Sequence, residues 1–130
     1  MRMNRLANCK NEFQGAHKKV LCVCSAGLLR SPTAAVVLSA PPFNYNTRAA
    51  GCVPEYALVP VDEVLLKWAD EIVCMEPAHA ERLKYMIENS DINMGEYKEI
   101  ILLEIPDNFE YRSPELMKLI EERYIETKGI

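Results

Sequence analysis

The spacing of apolar residues alternates between two periods along the chain. Short apolar runs such as KVLCVC at 19–24 are typical of strands that are buried on both faces. Segments with apolar residues three and four positions apart are typical of amphipathic helices. The first pattern predicts strands at 19–24, 45–50, 71–75 and 98–103. The second predicts helices at 32–40, 61–68, 77–89 and 113–129.

Two of the predicted helices begin with the same signal. Ser31 before Pro32, and Ser113 before Pro114, are each an N-cap residue followed by a proline at the first helical position. Gly129 is a typical residue at the end of a helix. These signals place the helix boundaries independently of the apolar pattern.

Strand and helix alternate four times, which is the pattern of a doubly wound α/β sheet. We therefore expect a three-layer domain with a four-stranded parallel sheet in the middle and helices on both faces. Ligands of such sheets bind outside the carboxyl ends of the strands. The loops that leave those ends, and that are candidate walls of a site, are 24–31, 51–60, 76–77 and 104–113.

The length and net charge of the chain limit the kinds of protein that it can be. The 130 residues suit one domain, which we place at 19–130 behind an N-terminal arm at 1–18. The net charge of −4 argues against a general binder of nucleic acid or of a membrane surface. Residues 1–17 lack the apolar segment of a signal peptide, and the five cysteines, an odd number, indicate free thiols in a reducing cytoplasm. The cysteine spacing does not suit zinc, so we expect no metal and no cofactor.

The loop from Cys24 to Arg30 is the strongest candidate for chemistry. It joins the end of a buried strand to a helix start, where the dipole and unpaired N–H groups favour an anion. The guanidinium of Arg30 matches two phosphate oxygens, and the same field favours the thiolate of Cys24. The alternative is a small hydrophobic Cys24 in the core, but no other cysteine has an arginine six residues later. The phosphate-binding N–H groups would belong to Ser25, Ala26, Gly27, Leu28, Leu29 and Arg30.

VLCVCSAGLLRSPTAA at 20–35 resembles the phosphate loop of the low-molecular-weight protein tyrosine phosphatases, where an apolar strand precedes Cys-x5-Arg and Ser-Pro. TRAAGC at 47–52, WADEIVCMEPAHAERL at 68–83 and IPDNFEY at 105–111 resemble further segments of that family, in the same order. The resemblance implies the phosphatase I-like fold, a four-stranded parallel sheet. It also implies metal-free hydrolysis of phosphomonoesters through a phosphocysteine.

The same resemblance implies roles for residues outside the phosphate-binding positions. Asp107 matches the family's general acid, which protonates the departing oxygen. Ser31 would hydrogen-bond Cys24 and stabilise its thiolate, besides capping the helix. Phe109, Tyr111 and Tyr56 match aromatic walls around a phenyl ring, with core packing as the alternative for the first two.

Other polar residues near strand ends have alternative roles. Glu76 and Glu104 are rival candidates for the acid because each also follows a predicted strand, although Glu76 is expected to cap the helix that Pro77 begins. His17 and His79 match no catalytic position of the family and are expected on the surface.

The chain departs from the family pattern at three positions. Gly27 and Ala49 replace an asparagine and a serine whose side chains tie the loop together, so a softer loop is expected. Leu29 stands where the family often has a second loop cysteine.

The leading interpretation is a cytoplasmic phosphatase that acts on phosphorylated protein or a small aryl phosphate. Leu28 favours this over the related arginine phosphatases, which carry threonine there. Arsenate reduction is one alternative, with Cys52 as the best candidate for a resolving cysteine. A phosphate-binding module without turnover is the other.

Overall fold

The computed structural model describes residues 8–9, 18–25, 30–53, 55, 57, 59–90 and 98–130. Its strands are β1 Asn8–Cys9, β2 Lys19–Cys24, β3 Asn46–Gly51, β4 Glu71–Cys74 and β5 Glu99–Leu102. Its helices are α1 Arg30–Ser39, α2 Glu63–Trp68, α3 Pro77–Glu88 and α4 Pro114–Lys128. Within this part of the chain, no helix has the length and apolar character needed to cross a membrane.

The strands form one sheet in the order β1-β3-β2-β4-β5. β2 to β5 are parallel, which confirms the predicted doubly wound sheet of four parallel strands. β1 adds a short antiparallel edge beside β3, in a segment for which we predicted only an arm. β2 lies at the centre, between β3 and β4, and the order of the strands reverses there.

The residues of β2 alternate between two hydrophobic cores. Val20, Cys22 and Cys24 face the core that α1 and α4 cover, whereas Leu21 and Val23 face the core that α2 and α3 cover. Burial on both faces accounts for the continuous apolar run in this segment. The spacing of apolar residues in α4 predicts an inward face of four residues, of which Leu116, Ile120 and Tyr124 are fully buried and Leu119 is partly buried against the same core.

The helix ends agree with the sequence signals except at α1. The hydroxyl of Ser113 caps α4 by accepting the N–H of Leu116 at 3.2 Å, and Gly129 ends that helix with a φ of +73°. α1 begins at Arg30, two residues earlier than predicted. Ser31 therefore lies inside the first turn, and the prediction that it is the N-cap residue is wrong. Its hydroxyl instead contacts Cys24 of β2 and the backbone oxygen of Ala50 of β3.

A buried carboxylate ties the amino-terminal edge of the sheet to α4. Glu71, at the start of β4, is 2% exposed. It accepts hydrogen bonds from Lys18 at 2.9 Å, from Lys128 at 2.8 Å and from the hydroxyl of Tyr124 at 2.8 Å. Burial alone would raise the pKa of Glu71, but these three hydrogen bonds outweigh it and hold the pKa below its ordinary value.

Candidate active site

Cys24 is the last residue of β2, so it lies at the carboxyl edge of the sheet, and it is 3% exposed. Its Sγ lies 3.1 Å from the hydroxyl oxygen of Ser31. That hydroxyl has one proton, which it can also give to the backbone oxygen of Ala50 at a longer 3.4 Å. Because a thiolate carries no proton, an ionised Cys24 accepts the hydrogen bond of Ser31.

Arg30, the first residue of α1, is 3% exposed, and its guanidinium lies between the loops that follow β4 and β5. Its Nη1 donates to Oε2 of Glu76 at 2.5 Å and to the backbone oxygen of Ile105 at 2.8 Å. Its Nε lies 3.6 Å from Oδ1 of Asp107. The fold thus brings the arginine of the first loop together with the aspartate of the last loop.

Glu76 is the N-cap residue of α3, as expected, but its carboxylate binds Arg30. This hydrogen bond outweighs the effect of burial and holds the pKa of Glu76 below its ordinary value. In this structure the carboxylate of Glu76 is therefore committed to Arg30. The assignment of the general acid to Asp107 stays a prediction.

Asp107 lies in the loop after β5, and its side chain is 61% exposed. The start of this loop is held by α4, because Nη1 of Arg123 donates to the backbone oxygens of Leu103 and Glu104 at 2.8 Å each. Nothing in the local sequence distinguishes Arg123 from the other charged residues of the helix, so this contact could not be predicted.

The end of the same loop is held by α1. The hydroxyl of Thr33 accepts the backbone N–H of Arg112 at 3.0 Å. Glu104 and Arg112 both have left-handed backbone, with φ of +58° and +57°, which costs on the order of 1–3 kcal/mol at a residue other than glycine. The anchoring hydrogen bonds offset that cost and fix the segment that carries Asp107.

His79 is 3% exposed, so the prediction that it lies on the surface is wrong. It is the third residue of α3, and its Nδ1 accepts the backbone N–H of Glu76 at 3.2 Å. Its Nε2 lies 3.0 Å from the hydroxyl oxygen of Ser25. Burial lowers the pKa of His79, and the neighbouring carboxylate of Glu76 opposes this. The sequence signal was its spacing, since a polar side chain three residues after an N-cap often turns back to the N-cap N–H.

The two described residues of the predicted aromatic walls lie in different environments. Phe109 is half-buried and packs against the core that contains Cys24, which agrees with its packing alternative. Tyr111 is 42% exposed, with the guanidinium of Arg112 5.9 Å from its ring. Tyr56 and the predicted phosphate-binding residues 26–29 lie outside the described residues.

Cys52 is buried just beyond β3, but its side chain packs in the core opposite to that of Cys24. Burial raises its pKa, and the nearby Cys24 raises it further. Cys52 also lines an open cleft of about 380 Å³, together with Ser25, Glu76, His79 and Arg82. Among the described residues, no three His, Cys, Asp or Glu side chains are grouped so that they could hold a metal ion.

Solved structures match this fold. The tyrosine phosphatase Wzb from Escherichia coli K30, in complex with phosphate, has a TM-score of 0.62 and 17% identity over 88% of this chain and 99% of its own. Vibrio vulnificus Wzb, in complex with benzylphosphonate, has a TM-score of 0.60 and 21% identity over 88% and 99%. The YwlE arginine phosphatase from Geobacillus stearothermophilus has a TM-score of 0.54 and 20% identity over 86% and 93%.

No protein-family model and no curated protein sequence matches the chain. The structural matches confirm that the chain has the phosphatase I-like fold of the low-molecular-weight tyrosine phosphatases, as the resemblance implied.

Proposed function

We propose that this protein is a cysteine-dependent phosphomonoesterase that hydrolyses aryl phosphates, with protein phosphotyrosine as the leading substrate. The observation that carries the proposal is the convergence at one sheet edge of three groups. They are the buried Cys24, whose sulfur lies 3.1 Å from the hydroxyl oxygen of Ser31, the buried Arg30, and the exposed Asp107, whose carboxylate lies 3.6 Å from Arg30. The structural neighbours support it, since two of the solved structures with this fold are tyrosine phosphatases.

In the first step, the thiolate of Cys24 attacks phosphorus, and a new S–P bond forms as the bond from phosphorus to the aryl oxygen breaks. The carboxylic acid of Asp107 gives its proton to that departing oxygen, which leaves as a neutral phenol. The guanidinium of Arg30 stabilises the charge on the non-bridging oxygens of the transferred group.

In the second step, the carboxylate of Asp107 takes a proton from a water molecule, whose oxygen attacks the phosphocysteine. The S–P bond breaks, inorganic phosphate leaves, and Cys24 becomes a thiolate again. Ser31 then donates its hydrogen bond to the sulfur that carries the returning negative charge. The enzyme is thereby regenerated without a metal or a redox partner.

The substrate walls belong to the same proposal. Tyr111 is exposed in the loop that carries Asp107, where its ring can contact an aryl group. Tyr56 is proposed as a second wall and Phe109 as a ring that supports the loop from the core side. We place the enzyme in a reducing cytoplasm, because its reaction requires a free thiol.

The test is hydrolysis of p-nitrophenyl phosphate and of a phosphotyrosine peptide by the wild type, by Cys24→Ser and by Cys22→Ser. The two variants make the same chemical change on the same face of β2, two residues apart. We expect Cys24→Ser to lose turnover while it still binds phosphate, and Cys22→Ser to retain turnover. Hydrolysis by Cys24→Ser above a tenth of the wild-type rate would exclude Cys24 as the nucleophile.

Arsenate reduction is tested in the same experiment by adding arsenate and thioredoxin. That reaction requires a second thiol that can reach the nucleophile, and Cys52 packs on the opposite face of the sheet from Cys24. We therefore expect no reduction of arsenate. Binding of phosphate by the wild type without any hydrolysis would favour the phosphate-binding module instead.

A further inference from the structure

The two central strands leave the sheet side by side. β2 and β4 are paired through Val23 and Cys74, and the N–H of Met75 donates to the carbonyl of Val23 at 3.2 Å. Beyond this bond, the chain that leaves β2 passes through Ser25, and the chain that leaves β4 passes through Glu76. The ring of His79 connects these two segments, because Nε2 is hydrogen-bonded to the hydroxyl of Ser25 and Nδ1 to the backbone N–H of Glu76.

The hydrogen bonds determine the protonation state of this ring. The backbone N–H of Glu76 can only donate, so Nδ1 of His79 must present its lone pair. A neutral imidazole with a lone pair on Nδ1 carries its proton on Nε2. The ring therefore donates to the hydroxyl oxygen of Ser25. Burial of the ring favours this neutral form.

We propose that His79 is a positioning residue of the candidate active site, whose neutral imidazole connects Ser25 to the backbone of Glu76. Ser25 directly follows Cys24, and the carboxylate of Glu76 holds Arg30. This inference rests on the proposed function, because it takes Cys24 and Arg30 as the groups that bind the phosphate. The ring fixes Ser25, the residue after Cys24, relative to Glu76, the partner of Arg30, so that these groups are positioned before the anion binds.

Two conservative substitutions separate this role from simple helix capping. In His79→Asn, the amide oxygen takes the place of Nδ1 and still accepts the N–H of Glu76, but the shorter side chain does not reach Ser25. In His79→Gln, the longer amide reaches Ser25 as a donor and no longer occupies the Nδ1 position. The positioning role predicts that glutamine preserves the site better, whereas the capping role predicts that asparagine does.

The readout is the dissociation constant of inorganic phosphate, measured by calorimetry at pH 7. We expect it to rise roughly tenfold in His79→Asn, from the loss of one buried hydrogen bond, and by less in His79→Gln. We expect Ser25→Ala combined with His79→Asn to bind phosphate no more weakly than the weaker single variant, because both remove the same contact. Imidazole 15N NMR of the wild type should show the proton on Nε2.

Asp62→Ala is the matched control, because it removes the N-cap hydrogen bond of α2, at 2.8 Å from Asp62 Oδ1 to the N–H of Leu65, without touching Ser25. Its phosphate affinity should equal that of the wild type. Wild-type affinity in His79→Asn, or a proton on Nδ1 in the NMR spectrum, would overturn the role of His79.

Aryl phosphate hydrolysis is followed on the same samples. A wild type that binds phosphate but hydrolyses nothing would overturn the proposed function alone, since the affinity series still reports on His79. A wild type that hydrolyses aryl phosphate while His79→Asn keeps both its rate and its affinity would overturn the role of His79 alone.

Discussion

Each edge of the sheet holds a cluster of opposite charges, and the two clusters differ in which partner is buried. At the amino-terminal edge the carboxylate is buried: Glu71 is 2% exposed and accepts from two lysines. At the carboxyl-terminal edge the cation is buried: Arg30 is 3% exposed, whereas the side chains of Glu76 and Asp107 are 42% and 61% exposed.

This difference in burial suits the two clusters to different roles. Around Glu71, the bonds to Lys18, Lys128 and Tyr124 join β4 to α4 and to the start of β2, so that the cluster stabilises the packing. Around Arg30, the guanidinium is buried and held by Glu76 and the backbone oxygen of Ile105, and under the proposed function it is the group that binds the phosphate. We therefore expect ion pairing to contribute stability at one edge and to prepare phosphate binding at the other.

Within the charged cluster around Arg30, Asp107→Asn should show the largest effect. We expect turnover of a phosphotyrosine peptide to fall by roughly 10²–10⁴-fold, because the amide cannot protonate the phenolic oxygen. The loss should be much smaller with p-nitrophenyl phosphate, whose leaving group needs no proton. Glu104→Gln, an exposed carboxylate of the same loop, is the control. A selective loss in Glu76→Gln but not in Asp107→Asn would identify Glu76 as the acid.

Arg30→Lys should reduce kcat/KM by roughly 10²–10³-fold and weaken phosphate binding, because an ammonium cannot form the planar fork. The comparison is Lys128→Arg at the other edge, which changes one cation for another beside Glu71 and should leave kcat/KM unchanged. Steady-state kinetics on both variants measures the difference. Equal losses in the two variants would show that the clusters do not differ in function.

Glu71→Gln should affect stability rather than activity. The substitution removes the charge that the two lysines surround, and we expect the free energy of unfolding to fall by about 2 kcal/mol. Urea denaturation measures this fall, and kcat should remain that of the wild type. A large fall in kcat without a change in the urea midpoint would contradict the assignment of Glu71 to stability.

The two edges should also lose stability in different pH windows. The pKa of His79 is lowered from 6.5, so below that pH the unfolded chain takes up a proton that the folded chain does not, and the free energy of unfolding falls as pH decreases. The pKa of Glu71 is lowered from 4.5, so its contribution is present above that pH and is lost as pH falls below it. Urea titrations at several pH values should show that His79→Gln removes the fall in unfolding free energy below pH 6.5, and that Glu71→Gln removes the fall below pH 4.5. If the fall below pH 6.5 persists in His79→Gln, groups other than His79 cause it.

The sequence alone determined the elements and the edge at which the candidate site lies. The period of the apolar residues is a local property, and it located β2 to β5 and the four helices of the described residues to within a few residues. The sequence also placed Cys24 at the end of a buried strand and Arg30 near the start of the next helix, as the structure has them. Their joint role in binding phosphate stays a prediction.

Only the tertiary structure decided which side chains complete the site. His79 meets Ser25 across 54 positions of sequence, and Thr33 meets Arg112 across 79. Such contacts depend on how the helices pack on the sheet, and no local pattern encodes that.

The place of Cys52 was decided by strand register. Cys24 pairs with Gly51, so Cys52, one residue further along, packs on the other face of the sheet. A shift of one residue exchanges the faces of a strand, and only the pairing of β2 with β3 determines it.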